Sequence, residues 1–292
     1  SDGKSIVTKS CMQFLAGWAK KLSWQETARS FKTSWHQVYR SVKYVVDWGL
    51  KNQDLSGIES IGVDEIAWKK GHHYLTLVYQ IDKGCTRLLW IGKERTVKTL
   101  LRFFRFFGKA NTQRLKYICS DMCKPYLKVI QKKAPQALNI LDRFHIVAKL
   151  NKAIDEVRAG EHRQLKKDGH EPVLHRSRWC LLKRKENLTD KQEIKLKELL
   201  KYNLKSVRAY LLKEDFQGFW AYVAWYWAGR FLDRWYADVM KSNIEPMKKV
   251  AKTIHGHKGL ILNWFKAKKQ LSSGVVEGLN NKAKVVTKKA YG

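Results

Sequence analysis

Acidic residues are scarce in this chain. Twenty-six Asp and Glu stand against 58 Lys and Arg, giving a net charge of +32 over 292 residues. The excess runs along the whole chain rather than in a tail, so a folded protein with an extended anionic partner is the economical interpretation. Only four prolines and no low-complexity tract are present, which excludes long disordered linkers. Five cysteines, an odd number in no paired framework, exclude a disulfide-stapled fold and fit a reducing compartment. Cys119 and Cys123 bracket Asp121, but nothing supplies the second half of a zinc-finger pattern. No signal peptide is visible in these residues. The longest apolar run, 216–229, is too short to span a bilayer and meets Arg230, Asp233 and Arg234. What is present is 44% hydrophobic residues, enough for one large domain or two to three smaller ones.

Residues 10–50 read as three helices. Met12, Leu15, Trp18 and Leu22 give the first an apolar stripe. Ser23-Trp-Gln-Glu26 and Ser34-Trp-His-Gln37 both have the spacing of a capping box. Two capped helices with a tight connection, the second carrying Val38, Val42, Val45 and Val46 on its buried side, predict a helix-turn-helix over 1–52. Trp35, His36, Gln37, Tyr39 and Arg40 are then expected to face outward and read DNA. Helical hairpins of this kind also occur as plain packing units.

From Ser60 the periodicity changes to that of strands. Ile61-Gly-Val-Asp64, Tyr74–Tyr79 and Arg87–Ile91 are separated by turns at Lys69-Lys-Gly71 and Asp82-Lys-Gly84, which predicts an antiparallel meander. Thr96 caps a helix bearing Val97, Leu100, Leu101, Phe104 and Phe107, closed by Gly108. A fourth strand, 115–119, ends at Ser120-Asp121. A helix over 126–133 and a fifth strand, 137–141, lead into Asp142-Arg-Phe-His145. Three strands, helix, strand, helix, strand is the ribonuclease H-like order, in which the first and fourth strands are neighbours. Asp64 and Asp121 would then meet, and with one later Glu they would make a hard-oxygen site for Mg²⁺.

Residues 146–271 read as helical and very basic. Asp190-Lys-Gln-Glu193 has capping-box spacing, and 219–227 is densely aromatic, expected mostly as core although such rings can also stack on an unpaired base. Between 241 and 270 eight lysines face Glu245 alone, as a phosphate-tracking surface or a solvated face. The final stretch, Ser272-Ser-Gly-Val-Val-Glu277-Gly-Leu-Asn-Asn281-Lys-Ala-Lys284, opens like a helix capped by Ser272 or Ser273. Glu277 falls in its first turn, where the dipole favours a carboxylate, and Asn281 and Lys284 share its face.

These residues closely resemble the ISL3 family of insertion-sequence transposases in the DDE group. The resemblance rests on Ile61-Gly-Val-Asp64-Glu, Ser120-Asp121, Asp142-Arg-Phe-His145-Ile-Val-Ala-Lys-Leu-Asn151 and Glu186-Asn-Leu-Thr189. It rests also on Gly274–Lys284 and the terminal Ala290-Tyr-Gly292. It implies a mixed α/β fold: a ribonuclease H-like core over 58–150 and 271–292, a large all-helical insertion over 151–270, and the helix-turn-helix in front. Asp64, Asp121 and Glu277 are the implied catalytic and metal-binding triad, holding two Mg²⁺ (or Mn²⁺) ions for two-metal phosphoryl transfer. Asp64 would bridge both ions. The implied substrate is double-stranded DNA, as inverted-repeat ends and target, cut and joined by a homodimer assembled on DNA, with no membrane and a cytoplasmic, nucleoid-associated location.

Lys284 resembles the lysine that some DDE transposases place seven residues after their Glu, whereas the accompanying Tyr and Arg are replaced by Gln270 and Ser273. Asn281, Lys282 and Lys284 are expected DNA contacts. Asp142 and His145 resemble a [Cys/Asp]-x-x-His motif, in which His145 contacts either the scissile region or only the fold. Glu65 is expected on the opposite strand face, Asp82 in a turn, and His72, His73, His255 and His257 on the surface. Family members carry a cysteine-rich module before the helix-turn-helix and a short tail after Gly292; neither is seen, so a truncated chain is expected. Two rivals are an inactive DNA-binding remnant, disfavoured by the three retained acids, and a ribonuclease H-like nuclease or resolvase, disfavoured by the long helical segment.

Overall fold

The structure is a computed structural model that describes residues 7–69, 71–171, 173–269 and 274–291. The caps expected at Ser272 and Ser273, the turn residue Lys70, Gln270 and the terminal Gly292 lie outside the described residues. The chain runs α1 (Lys9–Trp18), α2 (Trp24–Ser30), α3 (Trp35–Lys51), β1 (Ser60–Lys69), β2 (His73–Asp82), β3 (Cys85–Lys93), α4 (Val97–Phe107) and α5 (Lys109–Arg114). It continues β4 (Tyr117–Ser120), α6 (Lys124–Lys133), β5 (Leu138–Leu141), α7 (Arg143–Lys167), α8 (Arg178–Leu182), α9 (Asp190–Leu199) and α10 (Lys205–Gln217). The last elements are α11 (Trp225–Lys241), α12 (Glu245–Gly256), α13 (Lys258–Lys266) and α14 (Gly274–Tyr291). The fold is mixed α/β with a five-stranded mixed sheet. Two compact units emerge: Ser1–Lys116, Lys128–Gln136 and Gly274–Gly292 form the first, Tyr117–Leu127 and Ala137–Ser273 the second.

In the first unit, α1 and α2 pack on α3. Ser23 Oγ accepts from the Glu26 N–H at 3.1 Å while Glu26 returns a carboxylate oxygen to the Ser23 N–H at 2.8 Å, so the first capping box forms in full. Those bonds hold the Glu26 carboxyl below its usual range. The second box forms only by half. Ser34 Oγ accepts from the Gln37 N–H, but the Gln37 amide turns to Ser41 because residue 37 lies on the buried side, 8% exposed. The buried stripe of α3 is correspondingly displaced: Val38 is fully buried, whereas Val46 is 51% exposed.

Strands β1, β2 and β3 pair antiparallel, with Asp64 opposite Leu77 and an extra residue, Leu89, in β3 beside Tyr79. Thr96 caps α4, which buries Leu100, Phe103, Phe104 and Phe107 and stops at Gly108 with φ of 82°. That left-handed backbone is one glycine adopts without strain.

In the second unit β4 and β5 pair in parallel, Tyr117 opposite Leu138 and Ser120 opposite Leu141. Asp142 caps the 25-residue α7 by accepting from the Phe144 N–H at 2.7 Å. One apolar core gathers Ile146, Leu150 and Ile154 of α7 with Phe216, Phe219, Leu232, Trp235, Met247 and Ile261. Two expectations shift here. Helix α9 is capped at Thr189, whose N–H donates to Gln192, one residue ahead of the Asp190 start. The aromatic run 219–227 is no single core helix: Phe219 and Trp220 are buried, the chain breaks near Tyr222, and Trp225, Tyr226 and Trp227 open α11 exposed.

Candidate functional site

Asp64 lies on β1 and Glu277 on α14, both within the first unit, and α14 packs on β1 and β2. Two rungs set that packing. Gly62 lacks the Cβ that would stand 2.4 Å from Val276 Cγ2, so the helix can approach the strand. One step on, Asn280 Nδ2 donates to Asp64 Oδ2 at 2.5 Å. Four helix residues advance about 6 Å and two strand residues about 6.6 Å, so Val276–Gly62 and Asn280–Asp64 stay in step.

Asn280 is 6% exposed and its amide is used at both ends: Oδ1 accepts from the Tyr79 hydroxyl at 2.8 Å. Burial, and then the negative charge of Asp64, hold the Tyr79 phenol above its usual range, so it is a donor at neutral pH. Asp64 Oδ1 accepts from the Glu65 N–H. Both carboxylate oxygens are thus fixed by donors.

The amide facing Asp64 is Asn280 and not Asn281, which is exposed along with Lys282 and Lys284. At about 100° per residue, Asn280 lies on the same side of α14 as Val276, whereas Asn281 turns away from it. The signal was available: Val276 and Asn280 are four apart, and an apolar residue and an amide at that spacing share a face. Glu277 borders that face; its carboxylate is exposed and makes no hydrogen bond or ion pair among the described residues.

Asp121 belongs to the second unit and follows β4 directly. Its Oδ1 accepts from the Cys123 N–H at 2.8 Å, fixing the turn that leaves the strand. Ser120 before it is buried and donates to Asn139 on β5. His145 Nε2 stands 3.6 Å from Asp142 Oδ2, one turn along α7, too far for a hydrogen bond but within reach of an ion pair when protonated. Arg143, which the sequence motif contains but its spacing did not single out, lies with its guanidinium 5.3 Å from the Trp220 ring and 5.8 Å from the Trp264 ring. Burial first, then the neighbouring Arg184, lowers its pKa.

Among the described residues no group of three His, Cys, Asp or Glu side chains is drawn together closely enough to hold a metal ion. The donor chemistry nonetheless suits a hard cation: each candidate ligand is a carboxylate, and Asp64 is oriented by an amide behind it. Glu65 leaves on the other strand face and pairs with Arg95 at 2.7 Å. Asp82, expected in a turn, is the last residue of β2 and accepts from Gln80, and His255 contacts Asp233.

Near the N-terminus, His36 and Arg40 are exposed on the first turns of α3. Gln37 is a correction, being buried against Ser41 rather than outward. Trp35 and Tyr39 stack on each other at 5.7 Å and both rings approach Trp24, so part of their surface serves the α2–α3 contact.

A family model described as a transposase, of the DDE type and the ISL3 group, matches residues 61–292. The chain is similar to the transposase for insertion sequence element IS1001 of Bordetella parapertussis, 33% identical over 288 residues, covering 98% of this chain and 69% of that one. It is also similar to the transposase for insertion sequence element IS1557 of Mycobacterium tuberculosis, 29% identical over 259 residues, covering 81% of this chain and 57% of that one. A match across most of the length, joined to the Asp64–Asn280 pairing of the first motif with the last, leads to one conclusion: the chain belongs to the ISL3 family of DDE transposases.

Proposed function

We propose that the chain cleaves DNA at the terminal inverted repeats of an insertion sequence and transfers the freed ends to target DNA, with Asp64, Asp121 and Glu277 as its catalytic, metal-holding acids. The observation that carries this is the clamp of Asp64 by Asn280, itself held by Tyr79. A carboxylate fixed by a buried amide resists rotation and stays aimed, which is what a metal ligand needs. DDE transposases work with divalent metal ions, and here Mg²⁺ or Mn²⁺, as two ions, would be held by the three acids. Bound there, the ions would activate the attacking oxygen and neutralise charge at the phosphate.

The protein's own part is positioning. Lys282 and Lys284, exposed on α14 beyond Glu277, are suited to hold backbone phosphates, and Asn281 beside them to donate to DNA. His145 follows the Asp142 cap at the end of β5 and in this reading contacts the strand being cut. The α2–α3 pair acts as the helix-turn-helix, with His36 and Arg40 as the base- and phosphate-reading groups and Trp35 and Tyr39 bracing them. The fold in this reading is a ribonuclease H-like core with a helical insertion. Two ends must be held together, so the working form is a homodimer on DNA. Among the described residues no helix is long and apolar enough to cross a membrane.

Nicking of supercoiled plasmid in Mg²⁺ or Mn²⁺ tests the proposal, with Asp64→Ala, Asp121→Ala and Glu277→Ala beside the parent. Cleavage by the parent, lost in all three while DNA binding persists, is the expected result. Tight binding without metal-dependent cleavage by the parent would instead identify an inactive DNA-binding remnant.

A further inference from the structure

Trp225, Tyr226 and Trp227 open α11 with 51%, 53% and 54% of their surfaces exposed. Three consecutive large rings left half in solvent forgo burial that would stabilise the fold. They touch one another edge to face, Trp225 and Tyr226 at 6.4 Å and Tyr226 and Trp227 at 5.3 Å between ring centroids. Lys266 Nζ lies 5.5 Å from the Trp225 ring centroid and the Arg230 guanidinium 5.7 Å from that of Trp227. One turn further, Arg234 covers Phe231 at 5.1 Å. The first turn of α11 contains no acid, and Asp233 is already engaged by Lys258 and His255.

We infer that Trp225, Tyr226 and Trp227, with Lys266 and Arg230, form a stacking platform for unpaired bases of a DNA strand. Flat rings alternating with cations match a chain whose flat bases alternate with phosphates. Unpaired bases are required because in a duplex each base face is already covered by its neighbours, leaving a ring nothing to stack on. A protein partner fits less well, since the cores of protein interfaces are depleted in charge and here cations sit on two of the three rings. The ligand class rests on the proposed DNA chemistry, but the platform makes a separate claim about strand state, and binding alone tests it.

The full chain would be titrated, without divalent metal, against a labelled duplex and against the same duplex ending in a single-stranded overhang that carries 2-aminopurine. The parent is expected to favour the overhang DNA, with a change in 2-aminopurine emission that reports stacking. In Trp225→Ala/Trp227→Ala that preference should shrink by roughly 5- to 150-fold per stacked base, while Trp225→Phe/Trp227→Phe, which keep a ring, retain most of it. Duplex affinity is the internal reference, so failure of plasmid nicking leaves this outcome unaffected. Absence of any preference in the parent, or its persistence in the double alanine variant, would overturn the platform. So would sedimentation showing that the parent self-associates through these rings and the double alanine variant does not.

Discussion

Replacing Asn280 by aspartate sets a carboxylate against the carboxylate of Asp64 at a distance that is now 2.5 Å from amide nitrogen to oxygen. The Tyr79 hydroxyl can still donate to residue 280, so the change isolates one contact. The lost hydrogen bond to a charged group is worth about 1.5–3 kcal/mol, and like-charge repulsion at this range adds several more at an effective dielectric near 20. Protonation of one acid caps the loss, so at pH 7 we expect about 3–5 kcal/mol of destabilisation relative to the parent. The raised acid binds a proton in the folded state before the unfolded one does, so the deficit narrows as pH falls from 7 towards 4. Exchanging the pair, as Asp64→Asn/Asn280→Asp, restores a donor facing an acceptor and should recover most of the stability but none of the DNA cleavage. Urea unfolding at pH 7 and pH 5 reads all three chains. If Asn280→Asp unfolds within about 0.5 kcal/mol of the parent, a typical surface effect, or if the exchanged pair is no more stable than the single variant, the clamp does not exist as described.

Two further outcomes follow from neighbouring contacts. Gly62→Ala puts a Cβ against Val276 and should cost about 1–3 kcal/mol by overpacking, with Val276→Ala in the same chain relieving most of it in the urea midpoint. Cys119 on β4 is buried, and burial, then Asp142, push its thiol up to about 12 from an ordinary 9. The unfolded chain releases that proton first, so stability is unaffected below pH 9 and falls between pH 9 and about 12, by about 1.4 kcal/mol per pH unit at most. Cys119→Ala should flatten this alkaline decline by one proton, a change that chemical unfolding at pH 8, 9.5 and 10.5 resolves.

Local signals carried much of the fold. Ser23, Thr96 and Gly108 act at helix ends as their chemistry requires, and the meander registers because each strand is bounded by a turn. The failures share a cause: the side facing the core is a tertiary property. Ser34-x-x-Gln37 has the spacing of a full box, yet Gln37 is drawn inward by the packing of α3 on α1 and α2. Thr189, with an extended backbone and Gln192 three residues on, stands at the cap in place of Asp190. At the candidate site the motif singled out Asn281 for the face of Glu277, and Asn280, which donates to Asp64, was not singled out. Motif spacing alone does not reveal that Val276, tucked over Gly62, fixes the rotation of α14. The aromatic run illustrates the same limit, since nothing in the composition of 219–227 marks where burial ends.

The pairing of Asp64 with Asn280 joins residues 216 apart in the chain. The first unit therefore cannot be completed until α14 has been made, long after β1. At 5–20 residues per second, Asp64 leaves the ribosome roughly 10–40 s before its partner exists. Throughout that interval β1 and β2 lack the helix that covers them, and closing so long a loop is a slow, late step. In the proposed reading, the basic helices between β5 and α14 are translated before Glu277, so a nascent chain would meet DNA before it holds all three acids. On the proposed function, cutting waits on the translation of Glu277.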